Sequence, residues 1–307
     1  MSRSTYSFRS LAILAVAGLL AGCPEPDFPA NVAVFPDIVY ARGWVSRTPI
    51  SPVGGQQYAL RDLPLDVFQP TDRPGEPKPA LLVIHGGGFV AGSRHDPDVR
   101  RYAAGVAEAG YVCFLIDYRL GTDGPPAPDA WGYDDYVAAI HAAAVDASAA
   151  LRFIFAHADA YEVDPARVAV MGGSAGAVTA LNVALFGPEA FPDDGENYRV
   201  PGGNNDGVTT PIRAVVDFWG SGAYCLGEID GNDPPVLMVH GQLDRMPTVS
   251  YSDALVLKRG LDFRGVPCEF HTIRGAGHAP WGAEVDGQNL SALTVDFLDR
   301  WVAPAAD

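Results

Sequence analysis

Between residues 58 and 302, short apolar runs alternate with longer segments of helical spacing. Tyr58 to Phe68 alternates as a half-buried strand does, and a Pro- and Gly-rich turn over 70–79 follows it. Ala80-Leu-Leu-Val-Ile84 is apolar throughout, as expected of a strand covered on both faces in a parallel sheet. Val99 to Ala109 has helical spacing and stops at Gly110, and Tyr111 to Ile116 is the next strand. Asp134 to Ala160 is Ala-rich and predicts a long helix with Val137, Ile140, Ala144, Val145, Leu151 and Ile154 on one face. Val168 to Met171 reads as a strand and Ala175 to Leu185 as a helix. Further strands are expected at Ile212 to Phe218, Val236 to Val239 and Glu269 to Ile273, with helices at Thr248 to Arg259 and Leu290 to Val302. The alternation predicts an α/β fold, a mostly parallel central sheet with helices on both faces.

Upstream the pattern changes. Arg3 and Arg9 precede the apolar run Leu11 to Ala21, which is too short for a stable bilayer span and suits a secretory leader. It ends in Leu20-Ala21-Gly22-Cys23, which resembles a bacterial lipobox, and Pro24, Pro26 and Pro29 would break a continuing helix. The resemblance implies cleavage before Cys23, a diacylglycerol on its thiol, and a lipid-anchored protein of the cell envelope. Residues 1–22 are therefore expected to be a leader and 23–56 a tether with an N-terminal edge segment. A single large domain over 57–303 follows, with a Gly-, Asp- and Asn-rich surface loop at 187–211.

Charge narrows the partners. The chain of 307 residues carries a formal charge of −16, and losing the leader, with two arginines and no acid, brings it to −18. Such a chain is repelled by phosphate backbones, so no nucleic-acid partner is expected. Oligomeric state is not legible. After Cys23, an odd set of cysteines remains: Cys113 in an apolar strand, and Cys225 and Cys268, which are expected at opposite edges of the sheet and unpaired.

Four short motifs carry chemistry. Gly172-Gly-Ser-Ala-Gly176 lies between a strand and a helix, where a tight turn would present the Ser174 hydroxyl near a helix N-terminus. His85-Gly-Gly-Gly-Phe89 follows the buried strand, and its glycines leave backbone N–H groups open to an oxyanion. His240-Gly-Gln-Leu-Asp244 ends a late strand, placing Asp244 either to orient a histidine or to cap the next helix. Gly275-Ala-Gly-His278 puts His278 in a flexible loop after the last strand. No H-E-x-x-H, H-x-x-E-H or C-x-x-C spacing suggests a metal, and no cofactor is expected. The acidic stretches Asp193-Asp-Gly-Glu196 and Asn204-Asn-Asp206 lack the ligand spacing of a calcium loop.

In these motifs, in Asp117-Tyr-Arg-Leu120 and Val163-Asp-Pro-Ala-Arg167, and in the order Ser174, Asp244, His278, the chain resembles the α/β-hydrolases. Within them it resembles the hormone-sensitive-lipase-like and feruloyl-esterase-type carboxylesterases with an HGGG motif. The resemblance covers about residues 58–302. It implies that Ser174 is a nucleophile, His278 its general base and Asp244 the partner of His278. It further implies an oxyanion hole from the N–H groups of Gly87, Gly88 and Ala175. His85, Gly86, Gly172 and Gly176 then support the motifs. Two positions depart from the pattern: Ala177 follows Gly176 where glycine is common, and Gly173 stands where aspartate is frequent.

The implied reaction is hydrolysis of small or polymer-attached acyl esters through an acyl-enzyme. Little chain is available for a cap, so the cleft should be open, with Phe89, Trp219, Tyr224 and Trp281 as candidate lining. A serine peptidase of the same fold would need a gating domain for which there is no room. A non-catalytic surface binder would more often have lost one of the three residues.

Overall fold

The computed structural model describes residues 28–46, 58–126, 135–191, 208–222 and 224–302. The leader, Cys23 and both acidic stretches of the 187–211 insertion lie outside these. Ten strands are described: β1 (Val32–Ser46), β2 (Tyr58–Pro70), β3 (Lys78–Ile84), β4 (Val112–Ile116), β5 (Val163–Gly173), β6 (Val215–Phe218), β7 (Val236–Gly241), β8 (Cys268–Ile273), β9 (Glu284–Val285) and β10 (Gln288–Asn289). Five α-helices accompany them: α1 (Pro97–Glu108), α2 (Asp135–Ala156), α3 (Ala175–Phe186), α4 (Tyr251–Arg264) and α5 (Leu290–Trp301).

Eight strands form one sheet in the order β1-β2-β4-β3-β5-β6-β7-β8. β2 runs antiparallel to both its neighbours, and every pairing from β4 through β8 is parallel. Side chains alternate across it. Leu82, Val170 and Met238 enter the apolar layer under α2, α3 and α4, while Leu81, Met171 and Leu237 enter the layer under α1 and α5. Burial on both faces explains why β3 is apolar from Ala80 to Ile84. α2 is long and apolar enough to cross a membrane by composition, but it is almost wholly buried inside the fold.

β3 pairs with β4 on one side and β5 on the other, so the chain leaves it in opposite directions in successive crossovers. A crevice opens at the carboxyl ends of strands at such a switch point. The glycine loop after β3, the turn after β5 and the loops after β7 and β8 all emerge on that edge.

Several elements differ from the sequence expectations. The segment expected as tether and edge includes the 15-residue strand β1, paired along β2 with two register shifts. The helix expected from Thr248 begins at Tyr251. The Ser250 hydroxyl accepts from the Asp253 N–H, and the Asp253 carboxylate accepts from the Ser250 N–H, a reciprocal capping box. Asp244 is thus not that helix's cap. The long helix ends at Ala156 and is followed by a 3₁₀ turn, Ala158–Tyr161. The β9–β10 hairpin was not anticipated; it turns at Asp286 and Gly287, both with positive φ. Cys225 and Cys268 both pack in the layer under α2, α3 and α4, and both are free thiols, unpaired as expected.

Candidate active site

β5 passes into α3 through one residue, Ser174, at φ 55° and ψ −119°. Such a backbone costs about 1–3 kcal/mol and persists only where its surroundings enforce it. Two glycines do so. A Cβ on Gly172 would lie 2.0 Å from the Gly176 carbonyl carbon, and one on Gly176 would lie 2.1 Å from the Ile84 carbonyl oxygen. The Ser174 N–H donates to the Phe218 carbonyl at 2.8 Å, tying the turn to β6.

The Ser174 hydroxyl lies 2.8 Å from His278 Nε2, and His278 Nδ1 lies 2.7 Å from Asp244 Oδ2. The carboxylate can only accept, so Nδ1 carries the ring hydrogen and Nε2 faces the Ser174 hydroxyl as a free acceptor. Asp244 is buried, and its Oδ1 accepts the Met246 N–H at 2.9 Å. The loop carrying His278 is sewn to the end of β7. The Gln242 N–H donates to Ile273 at 3.0 Å and the Leu243 N–H to Ala276 at 2.8 Å.

A further histidine, unassigned from sequence, joins this chain: His240 Nε2 stands 3.0 Å from Asp244 Oδ2 and 3.1 Å from the Val249 carbonyl. Burial holds its pKa below the ordinary histidine range, with the nearby Asp244 charge opposing the shift.

The glycine loop folds back over Ser174. Gly87 (φ 118°), Gly88 (φ 63°) and Gly92 (φ 94°) take backbone conformations that side chains rarely adopt. At Gly87 a Cβ would also meet the Ala91 carbonyl oxygen at 2.0 Å. His85 is buried, stacks on Tyr118 at 4.3 Å between ring centroids, and donates from Nδ1 to the Gly86 carbonyl at 2.7 Å. Burial lowers its pKa too, so it braces the loop as a neutral ring. Behind it, Arg94 donates from Nε to the fully buried Asp66 at 2.8 Å, and its guanidinium also engages Asp37 and Asp117. Asp117 in addition accepts the Arg94 backbone N–H at 2.7 Å. Charges buried this deeply are tolerable because each is paired and hydrogen-bonded.

Ser174, His278, Gly87, Gly88 and Ala175 line one cleft of about 760 Å³. Phe89, Trp219 and Trp281 line it too, joined by Tyr136 and Met246. The two indoles meet edge to face, 4.9 Å apart. Tyr224 does not reach the cleft. The Ser221 hydroxyl donates to the Thr248 carbonyl, after which the chain turns toward α4, and Tyr224 packs against the core there. Gly173 explains its own departure from the family pattern: a Cβ there would press on Trp219 at 3.2 Å and Trp281 at 3.3 Å. A second depression, of about 500 Å³, lies beyond Trp281 and contains no histidine. Among the described residues, no group of three or more His, Cys, Asp or Glu is arranged to hold a metal.

The eight-stranded sheet with β2 reversed and a serine on the β5–α3 turn define an α/β-hydrolase. Residues 65–224, a little over half of the chain, match the BD-FAE family, and the chain belongs to it. It is 28% identical to the esterase LipI of Mycobacterium tuberculosis, over 80% of this chain and 79% of that protein. To the ethyl acetate hydrolase of Pseudomonas putida it is 26% identical, over 70% of each. Among solved structures, the butyrate-bound thermophilic esterase Est2 of Thermogutta terrifontis superposes with a TM-score of 0.62 at 20% identity, covering 80% of this chain and 92% of that one. A truncated carbohydrate esterase from gut microbiota gives 0.62 at 18%, covering 89% and 99%. The protein is a carboxylesterase-type hydrolase.

Proposed function

We propose that the enzyme cleaves small or polymer-attached acyl esters through Ser174, with His278 as general base and Asp244 as its partner. The observation that carries this reading is the unbroken hydrogen-bond chain at 2.8 and 2.7 Å from the Ser174 hydroxyl to the buried Asp244 carboxylate. Ser174 Oγ attacks the ester carbonyl carbon as its proton passes to His278 Nε2. The negative charge on the carbonyl oxygen is met by the N–H groups of Gly87, Gly88 and Ala175 at the N-terminus of α3. His278 returns the proton to the departing alkoxide, which leaves as alcohol. Water, deprotonated by His278, then attacks the acyl-enzyme; the acid leaves and the Ser174 hydroxyl is restored.

A relative named for ethyl acetate and a neighbour solved with butyrate support short acyl groups, and the carbohydrate esterase supports acylated carbohydrates. Ser174→Ala is expected to lower ester turnover by about four orders of magnitude or more with the melting temperature intact. A fluorophosphonate should label the wild-type enzyme at Ser174. Unchanged turnover in the variant would overturn the triad. The motif Leu20 to Cys23 supports a lipid anchor in the bacterial envelope. Cys23→Ser should move the enzyme from the membrane to the soluble fraction, and membrane retention would refute the anchor.

A further inference from the structure

We infer that His240 is a positioning residue for ester hydrolysis, a neutral N–H donor that fixes Asp244 in the orientation His278 requires. The inference rests on the triad reading above. His240 is the penultimate residue of β7, buried, with its ring edge-on to Tyr251 at 6.0 Å between centroids. Its Nε2 faces two groups that can only accept, Asp244 Oδ2 at 3.0 Å and the Val249 carbonyl at 3.1 Å. That nitrogen must therefore carry the hydrogen.

The consequence lies in which oxygen is used. Oδ2 accepts from both His240 Nε2 and His278 Nδ1, while among the described residues Oδ1 accepts only the Met246 N–H. Rotation of the carboxylate about its last torsion would exchange the two oxygens. The His240 donor opposes that rotation from a strand end, whereas Met246 belongs to the loop it would have to restrain. Through Val249, the same N–H also anchors the 244–250 turn, whose Met246 to Val249 stretch walls the cleft. A neutral donor suits the task. A second imidazolium beside Asp244 would compete for the charge that stabilises His278 after it takes the serine proton, and burial keeps His240 uncharged.

The test compares two amides of equal polarity in the full-length enzyme. In His240→Gln the amide nitrogen reaches the position of Nε2; in His240→Asn it falls short of Asp244. With p-nitrophenyl acetate, H240N is expected to lower kcat per titrated active site by about 10- to 100-fold, the loss of one hydrogen bond to a charged group. KM should stay within about twofold and fluorophosphonate labelling should slow in parallel, while H240Q recovers most of both. A merely structural histidine would change melting temperature and the titratable fraction and leave kcat per site alone. That result in H240N overturns the inference. Histidine ¹⁵N NMR on the unmodified protein tests it without a variant: His240 should be neutral and protonated at Nε2 at neutral pH, and the Nδ1–H tautomer would refute it. Ser174→Ala separates the two failures. If it keeps turnover the triad itself falls, whereas if it loses turnover while H240N does not, only the role of His240 falls.

Discussion

A carboxylate buried beside the turn that carries Ser174 makes stability depend on pH in the unusual direction. Asp217 stands opposite Gly172 in the β5–β6 register and is fully buried. Its Oδ1 accepts the Gly220 N–H at 2.8 Å, but Oδ2 has no hydrogen-bond partner among the described residues. Burial raises its pKa from 3.8 to about 7, with the Gly220 hydrogen bond acting against the rise. Between those values the folded state holds a proton that the unfolded state has released. Stability therefore falls as pH rises, by about 1.4 kcal/mol per unit and about 4 kcal/mol in all, and levels off above the folded pKa. Asp217→Asn keeps the acceptor for Gly220 and cannot ionise. Its own amide hydrogens lack acceptors, as does the acid O–H, so that cost is common to both and roughly independent of pH.

The assay is urea denaturation of both proteins at several pH values from 4.5 to 8.5. The curves should diverge as pH rises, D217N gaining on the wild type by about 3–4 kcal/mol across the range, most of it below pH 7. Subtraction cancels every other titrating group that the substitution leaves untouched. Parallel curves would refute the reasoning, since they would mean that Asp217 ionises as easily in the folded state as in the unfolded chain.

Three further substitutions separate fold, site and periphery. Gly176→Ala drives a methyl to 2.1 Å from the Ile84 carbonyl oxygen and should abolish soluble folded enzyme, checked by circular dichroism and gel filtration. Gly241→Ala places its methyl 2.0 Å from the Gly277 carbonyl oxygen, next to His278. Turnover and fluorophosphonate labelling should therefore fall further than the melting temperature alone explains. Ser250→Ala removes the α4 cap at a cost of about 1 kcal/mol by chemical denaturation, with kcat unchanged.

What could be read from the sequence was whatever neighbouring residues decide among themselves. The strand–turn–helix around Ser174 was legible because tightly spaced glycines next to a buried strand permit few other conformations. The start of α4 was misread because Val249 fits the apolar spacing, although Ser250 and Asp253 form the local signal that sets it. The edge segment expected before residue 57 is β1, but its bounds were not legible, because Pro36 and Asp37 interrupt its pattern and its pairing with β2 is decided by residues far along the chain. Tyr224 packs against the core away from the cleft, and the nearby Ser221 hydroxyl donates to the Thr248 carbonyl, long-range contacts with no trace in local composition.

The segment His240 to Asp244 shows how a short motif can be legible while its meaning is not. Asp244 was assigned by its place after a late strand, yet each of three residues here has a separate partner elsewhere. His240 donates to Asp244 and to Val249, Gly241 leaves room for the Gly277 carbonyl, and Asp244 accepts from His278. Gly241 matters because the loop after β8 must pass within van der Waals distance of β7 to bring His278 back over Ser174. Leu243 completes the arrangement by donating its N–H to Ala276 in that same loop. The motif therefore specifies a junction between two loops as well as a carboxylate. A chain with Asp244 but a side chain at 241 would retain the carboxylate and displace the His278 ring that donates to it.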